Sequence, residues 1–320
     1  MSMPINRNQA LFMRWYEEYR ERRYLADAPD DAVMQRAREL ISNICTLEQN
    51  GKIGCVQAGE QTGFFLMRLF SHLLEESRLR TGHHQGLFIR HGLRDVSIPR
   101  STSPEPPASE AVLRISREQT GHRKLLKFGQ RKWMHALLNH GRIRIAPASM
   151  YQDPSLGPAI ADDELSYDLA TTAFDADILS LDPFQTRLAD AFGEPATAPR
   201  RLTMETNYYV WCASLALRPR LFGDFNDADT VLVLHDVAEF TRRLIQAIRD
   251  PLDGWQFTPC AVHYFDPYHP SQQTRNVFAC KHFKYLYQEE FRYVFLPSSP
   301  VTKLEPLSLE LGSLADIAEV

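Results

Sequence analysis

The hydrophobic period of this 320-residue chain changes once, at the stretch SIPRSTSPEPPASE, residues 97–110. Four prolines among small polar residues give that stretch the chemistry of a linker or surface loop. Before it, apolar residues recur every three or four positions. After it, short runs rich in Val, Ile, Phe and Tyr alternate with single helices. A chain patterned this way is expected to be α+β. The helical region spans 1–96, the linker 97–110, the sheet domain 111–300 and a C-terminal tail 301–320.

In NQALFMRWYEEYRERRYL, Leu11, Phe12, Trp15, Tyr16 and Tyr19 form one apolar face. DDAVMQRARELISNICTLEQNG repeats the pattern through Val33, Ala37, Leu40, Ile41 and Ile44, with Asp30 or Asp31 as its cap and Gly51 as its stop. A third helix is read over GFFLMRLFSHLLEESRL. Beyond the linker, RKLLKFG reads as a strand ending at Gly129. QRKWMHALLNHG reads as a helix with Trp133, Met134, Leu137 and Leu138 on one side and Gly141 behind it. RIRIAPAS has the alternation of a half-exposed strand. NYYVWCASLAL, TVLVLH, PCAVHYF and FRYVFLP are further strands, and DVAEFTRRLIQAI is a helix opening on the D-x-x-E pair Asp236 and Glu239. Residues 158–200 form an excursion with one helix at 184–193.

Several chemistries are excluded. There is no GxGxxG after a strand, no GxxxxGK[ST], no GxSxG and no HExxH. With 15 glycines against 20 prolines, a glycine-rich phosphate cradle is not expected. Five cysteines without a CxxC pair point to reduced thiols in a cytoplasm rather than a structural zinc site. No apolar run reaches the ~20 residues of a membrane-spanning helix, and the N-terminus lacks the apolar core of a signal peptide. His83 and His84 are adjacent and His135 and His140 are five apart, so neither pair has ligand spacing on one face. Asp162, Asp163, Glu164 and Asp168 could hold a divalent ion, as a nuclease or hydrolase would require, but lack calcium-loop spacing. No metal is expected.

Charge is uneven along the chain. The formal net charge is −4, yet between Ala111 and Arg144 nine basic residues face one acid, Glu118. Such a patch is either a solvated helix face and strand edge or a surface for pyrophosphate or nucleic acid. The triplet Gln288-Glu289-Glu290 poses the other question. Standing directly before FRYVFLP, its acids are either polar punctuation on a loop or aimed into a cleft.

Three pieces in order carry a resemblance: LLKFG, a helix and GRIRIAPASMYQDP; then YYVWCASLAL, an apolar strand and a capped helix; then VHYFDP and FACKHFKYLYQEEFRYVF. Over residues 123–297 the chain resembles a family of poorly characterised bacterial proteins, divergent relatives of the ADP-ribosyltransferase fold of toxins and phage-defence effectors. The resemblance implies a split mixed β-sheet that takes NAD as co-substrate. It implies that Lys127, with Phe128 beside it and Arg131 as a fallback, holds the ribose and phosphates. Ser149 and Tyr151 would frame the nicotinamide, and Glu290 with Gln288 would do the chemistry. Lys127 departs from the usual Arg or His, and a lysine lacks the bidentate fork of arginine. The implied activity is ADP-ribosyl transfer to a nucleic acid or protein acceptor, with a neutralising antitoxin as a further partner. The alternative is a non-catalytic module that binds a nucleotide or partner on the same fold. On an extended chain, Gln288 and Glu290 would share one side and Glu289 the other. The structural reading of Glu290 is pairing with Arg292 or Lys284.

Overall fold

A computed structural model describes residues 7–47, 52–56, 61–83, 86–87, 124–157, 159–170, 200–225, 228–268 and 276–320. The linker at 97–110, the helix at 184–193, Gly51, His84 and the basic residues before Lys124 lie outside the described residues. Within them the molecule is α+β, and no helix is long and apolar enough to cross a membrane.

Helices α1 (Arg7–Arg22), α2 (Asp30–Ile44) and α3 (Gln61–Thr81) pack their apolar stripes together around Tyr19, Leu25, Met34, Leu40 and Leu69. The expected cap of α2 is not used. Pro29 occupies the N-cap position without a side-chain bond, because Asp30 is drawn to Arg80 and Asp31 to the amide of Ala32. The helix also stops at Ile44, before Gly51. There the chain becomes extended and forms the antiparallel pair β1 (Cys45–Leu47) and β2 (Ile53–Cys55).

The sheet domain begins as its periodicity predicts. Strand β3 (Leu125–Gly129) leads into helix α4 (Arg131–His140), which ends on Gly141 in the left-handed conformation. In β4 (Arg142–Pro147), Ile143 and Ile145 are buried while Arg142 and Arg144 are exposed. Strands β5 (Ser166–Leu169) and β6 (Arg200–Thr203) pair as a separate ribbon. Next come β7 (Tyr209–Ser214), the short helix α5 (Arg220–Asp224) and β8 (Thr230–Leu234). All five residues of β8 are buried. Leu232 and Leu234 face the main core, and Val231 and Val233 face a smaller one with Leu221. Helix α6 (Val237–Ile248) starts as expected, Asp236 Oδ1 accepting from the Glu239 amide at 2.9 Å. Its Phe240, Leu244 and Ile248 cover the same face of the sheet as Met134 and Leu137 of α4.

PCAVHYF divides into two strands. β9 (Gln256–Ala261) stays in the sheet, and β10 (His263–Phe265) leaves it to pair in parallel with β11 (Cys280–His282). β12 (Glu290–Leu296) lies between β9 and β7. Residues 301–320, expected as a tail, supply β13 (Leu307–Glu310) against β4 and β14 (Ala318–Glu319) against β8. The eight strands of this sheet are antiparallel to their neighbours rather than mixed. The reason is strand order: the helix-linked strands β3 and β4 run the same way, but β7 inserts between them.

The helical layer is fastened to the sheet domain beneath the site. Asn43 of α2 donates to the Lys284 carbonyl at 3.0 Å and accepts from the Tyr287 amide at 3.1 Å. Phe283 enters the helical core. The turn that carries Gln288 is therefore held from behind by α2.

Candidate functional site

The site is built where the sheet forks. One edge of β7 pairs with β12 over the full length of the strand, from Glu290↔Ser214 to Phe295↔Tyr209. The other edge is shared: β4 bridges it at Tyr209 and Val210, and β3 only at Ser214. Between them, a carbonyl on that edge has lost its ladder partner, and an unpaired buried carbonyl is costly. Lys127 of β3 supplies the missing donor. Its Nζ donates to the Cys212 carbonyl oxygen at 2.7 Å and lies 5.0 Å from the Trp211 ring centroid. Burial pulls the Lys127 ammonium below the ordinary lysine range, against the opposing pull of Glu290.

A cleft of about 630 Å³ opens at the fork. Lys127, Phe128, Tyr151, Gln288 and Glu290 line it together. Two expected residues do not. Ser149 is tied to Asn207, which donates to its hydroxyl at 2.8 Å and accepts from its amide at 3.2 Å. Arg131 is exposed on α4, its amide hydrogen-bonded to Asp229 at 2.6 Å. Neither position could be separated from its cleft-lining neighbours by spacing alone.

The Gln288-Glu289-Glu290 triplet is not extended. Gln288 ends a 3₁₀ turn over Phe283–Gln288, Glu289 is left-handed at φ 42°, ψ 55°, and Glu290 begins β12. A glutamate rarely adopts that conformation, and here the surroundings impose it. The Glu289 carbonyl accepts from the Leu215 amide at 2.7 Å, and its carboxylate pairs with Arg218. By this route Gln288 and Glu290 both reach the cleft and Glu289 turns away. The expected division of the triplet is present, on a backbone the extended-chain argument did not foresee.

Glu290 is 7% exposed. Its Oε2 accepts from Lys281 Nζ at 3.0 Å and its Oε1 from Arg292 Nε at 2.9 Å. Arg292 is thus one expected partner, while Lys281 rather than Lys284 is the other. Burial pushes the Glu290 carboxyl up, but Arg292, Lys281 and a hydrogen bond from the Cys212 thiol hold it well below the usual carboxylate range. Lys281 also donates to Gln288 Oε1 at 3.2 Å, and Gln288 Nε2 donates to the Ala159 carbonyl at 2.7 Å. Arg292 in turn grips Glu164 through both terminal nitrogens, at 2.6 and 2.8 Å. The acid is ionised, desolvated and fixed in orientation. Such an anion can stabilise positive charge developing beside it.

The 162–168 acids disperse rather than converge. Asp163 binds Gln152, Ser166 and Arg201, Glu164 binds Arg292, and Asp168 lies near Arg201. No group of three or more His, Cys, Asp or Glu suited to a metal occurs among the described residues. Among the cleft residues that the sequence did not mark as part of the site are four that can carry charge or stack on a ring: Trp133, Arg144, Glu164 and Lys281. The signal for Arg144 was present in the Arg-Ile-Arg-Ile alternation. Lys281 had none, because its reach depends on the turn that follows it. Compared with family models, curated proteins and solved structures, the chain matches none.

Proposed function

We propose that the protein is an NAD-dependent ADP-ribosyltransferase, on a split sheet of the ADP-ribosyltransferase type, that modifies a nucleic acid or protein in the bacterial cytoplasm as a defence toxin. The observation that carries this reading is Glu290. It is an ionised carboxylate at the first residue of an interior strand, facing a cleft it shares with Lys127 and Gln288. A volume of about 630 Å³ lies within the ordinary range for small-molecule sites.

In the proposed step, the bond between ribose C1′ and the nicotinamide nitrogen breaks, and its electron pair leaves with neutral nicotinamide. Positive charge spreads over C1′ and the ring oxygen, where a fixed carboxylate lowers the barrier as in glycoside hydrolysis. The acceptor's nucleophilic atom then bonds to C1′ and releases its proton to solvent. The oxygens of Glu290 already accept from Lys281 and Arg292, yet a carboxylate has further lone pairs with which to receive a ribose hydroxyl.

One observation favours the second reading, a nucleotide-binding module without catalysis. The Lys127 ammonium is committed to the Cys212 carbonyl. A single set of assays separates the readings. Purified protein is given labelled NAD with and without lysate, and Glu290→Gln is compared. The transferase reading expects nicotinamide release and macromolecular labelling, both falling about 100-fold or more in the variant, with ADP-ribose binding kept within a few-fold. Binding of ADP-ribose without turnover in wild-type protein selects the module, and absence of both defeats the two readings together.

A further inference from the structure

We propose that the cleft has a nucleoside-diphosphate subsite formed by Trp133 and Arg144, the indole stacking on the base and the guanidinium holding the diphosphate. This rests on the reading of NAD as co-substrate and names the groups that seize its ADP half.

Three cations line the cleft: Lys127, Lys281 and Arg144. Lys127 is spent on the Cys212 carbonyl, and Lys281 is buried against Glu290 and Gln288. Arg144 is exposed and, among the described residues, has no hydrogen-bond or ion-pair partner. The register of β4 against β13 explains why. Arg142 stands opposite Glu310 and pairs with it at 3.3 Å, whereas Arg144 stands opposite Ser308. The amide at the start of α4 offers no rival anion site, since Asp229 already accepts from Arg131 N. The remaining guanidinium has the fork geometry that grips phosphate oxygens in pairs.

Trp133 is the complementary half. On α4 it was expected to share the buried side with Met134 and Leu137, which are 6% and 3% exposed. Instead it is 61% exposed, and it lines the cleft. Folding gains little from an indole left this open. Lys132 Nζ lies over one face of the ring, 5.0 Å from its centroid, so a planar base would stack on the opposite face. An open aromatic face and a free guanidinium on one cleft suit a base carrying a diphosphate.

Tryptophan fluorescence tests the assignment directly. Of the four tryptophans, Trp15 and Trp211 are buried at 3% exposure each and Trp255 packs on Tyr209 and does not line the cleft, so ADP entering it should quench Trp133 foremost. ADP, ADP-ribose, adenosine and inorganic pyrophosphate are titrated into wild type, Trp133→Phe, Trp133→Ala, Arg144→Gln and Lys127→Ala. ADP should quench wild type, and Trp133→Phe should lose the signal while calorimetry still records binding. Trp133→Ala should bind ADP about tenfold more weakly or worse. Arg144→Gln should bind ADP no better than adenosine. Both side chains are exposed, so these variants keep the fold. The proposal is overturned if ADP does not bind wild type, or if Trp133→Ala and Arg144→Gln bind ADP as wild type does. ADP binding through these residues without nicotinamide release would sink the transferase reading alone. Nicotinamide release unaffected by either variant would sink the subsite alone.

Discussion

His282 shows how a single side chain in this fold makes stability depend on pH. Its ring stacks on Phe283 at 4.8 Å and meets Phe265 edge-on, and its Nδ1 accepts the Lys284 amide at 3.0 Å, capping the 3₁₀ turn. Burial, with Lys284 and Arg36 nearby, pulls the imidazole down to about 3, against the opposing pull of Asp266. Glu39 Oε2 lies 3.9 Å from Nε2, and its own carboxyl is raised by burial. The folded protein therefore binds the imidazole proton more weakly than the unfolded chain does. The resulting stability is complete above the ordinary value of 6.5 and is lost as pH falls toward 3. Between about pH 7.5 and about pH 5.5 this group should remove about 1.4 kcal/mol. Urea titrations at the two pH values should show that loss in wild type. His282→Asn, which keeps a capping acceptor and cannot charge, should show about 1.4 kcal/mol less. An equal loss in both proteins defeats the assignment. At this scale, alternation on an extended chain put Gln288 and Glu290 on one side, and both do line the cleft, but through a 3₁₀ turn and a left-handed Glu289 rather than through strand alternation. Sequence missed Lys281 as the partner of Glu290, because that contact is made across the Phe283–Gln288 turn and the left-handed Glu289 that follows it.

Elements were legible wherever one period ran unbroken. The strands β3, β4, β7, β8 and β12 and the helices α4 and α6 lie where their patterns put them. The misreadings share a cause: partners distant in sequence. The order of strands around β7 makes the sheet antiparallel, and residues 301–320 carry too little pattern to declare themselves as β13 and β14. Gly141 joins the two kinds of information. Its place behind α4 follows from the helix, and its φ of 64° is the usual left-handed termination. What sequence could not show is the C-terminal segment folded against it. A Cβ at this position would lie 2.1 Å from the Gly312 carbonyl oxygen and 2.8 Å from the Gly312 nitrogen. Those are backbone atoms, held by the Leu311 amide donating to the Gly141 carbonyl at 3.0 Å and the Leu314 amide to Leu138 at 2.7 Å. Gly141→Ala is thus expected to combine left-handed strain with a clash that no rotamer relieves. Its cost should be about 2–4 kcal/mol, read from chemical denaturation. Gly254, also at positive φ but with nothing near its absent Cβ, is the control: Gly254→Ala should cost about 1 kcal/mol. Equal effects at the two glycines would mean that the C-terminal segment does not press on the turn.

Across the whole molecule, the helical layer and the sheet domain are joined by a buried ion pair whose partners stand 230 residues apart. Arg36 of α2 donates through both terminal nitrogens to Asp266, and their side chains are 1% and 2% exposed. The guanidinium is enclosed by Tyr24, Tyr268 and Phe283 at 5.2–5.8 Å from their ring centroids. Asp266 also accepts from the Tyr268 amide at 3.0 Å. Desolvating two charges offsets much of their attraction, so the pair fixes how the layers meet more than it strengthens their union. Removing one partner is different, because it strands the other charge in the interior. Arg36→Met should destabilise the full chain by about 3–5 kcal/mol, whereas Arg36→Met combined with Asp266→Leu should recover most of that loss. Chemical denaturation of the two single variants and the double variant closes the cycle. Single-variant losses below about 1 kcal/mol would show that the junction does not depend on this pair. The consequence reaches the cleft, because α2 also holds the Phe283–Gln288 turn through Asn43. If the recovered double variant binds ADP more weakly than wild type, the ion pair sets the angle at which α2 presents that turn, and with it the positions of Gln288 and Glu290. If it binds equally well, Asn43 and Phe283 hold the turn without help from the charged pair.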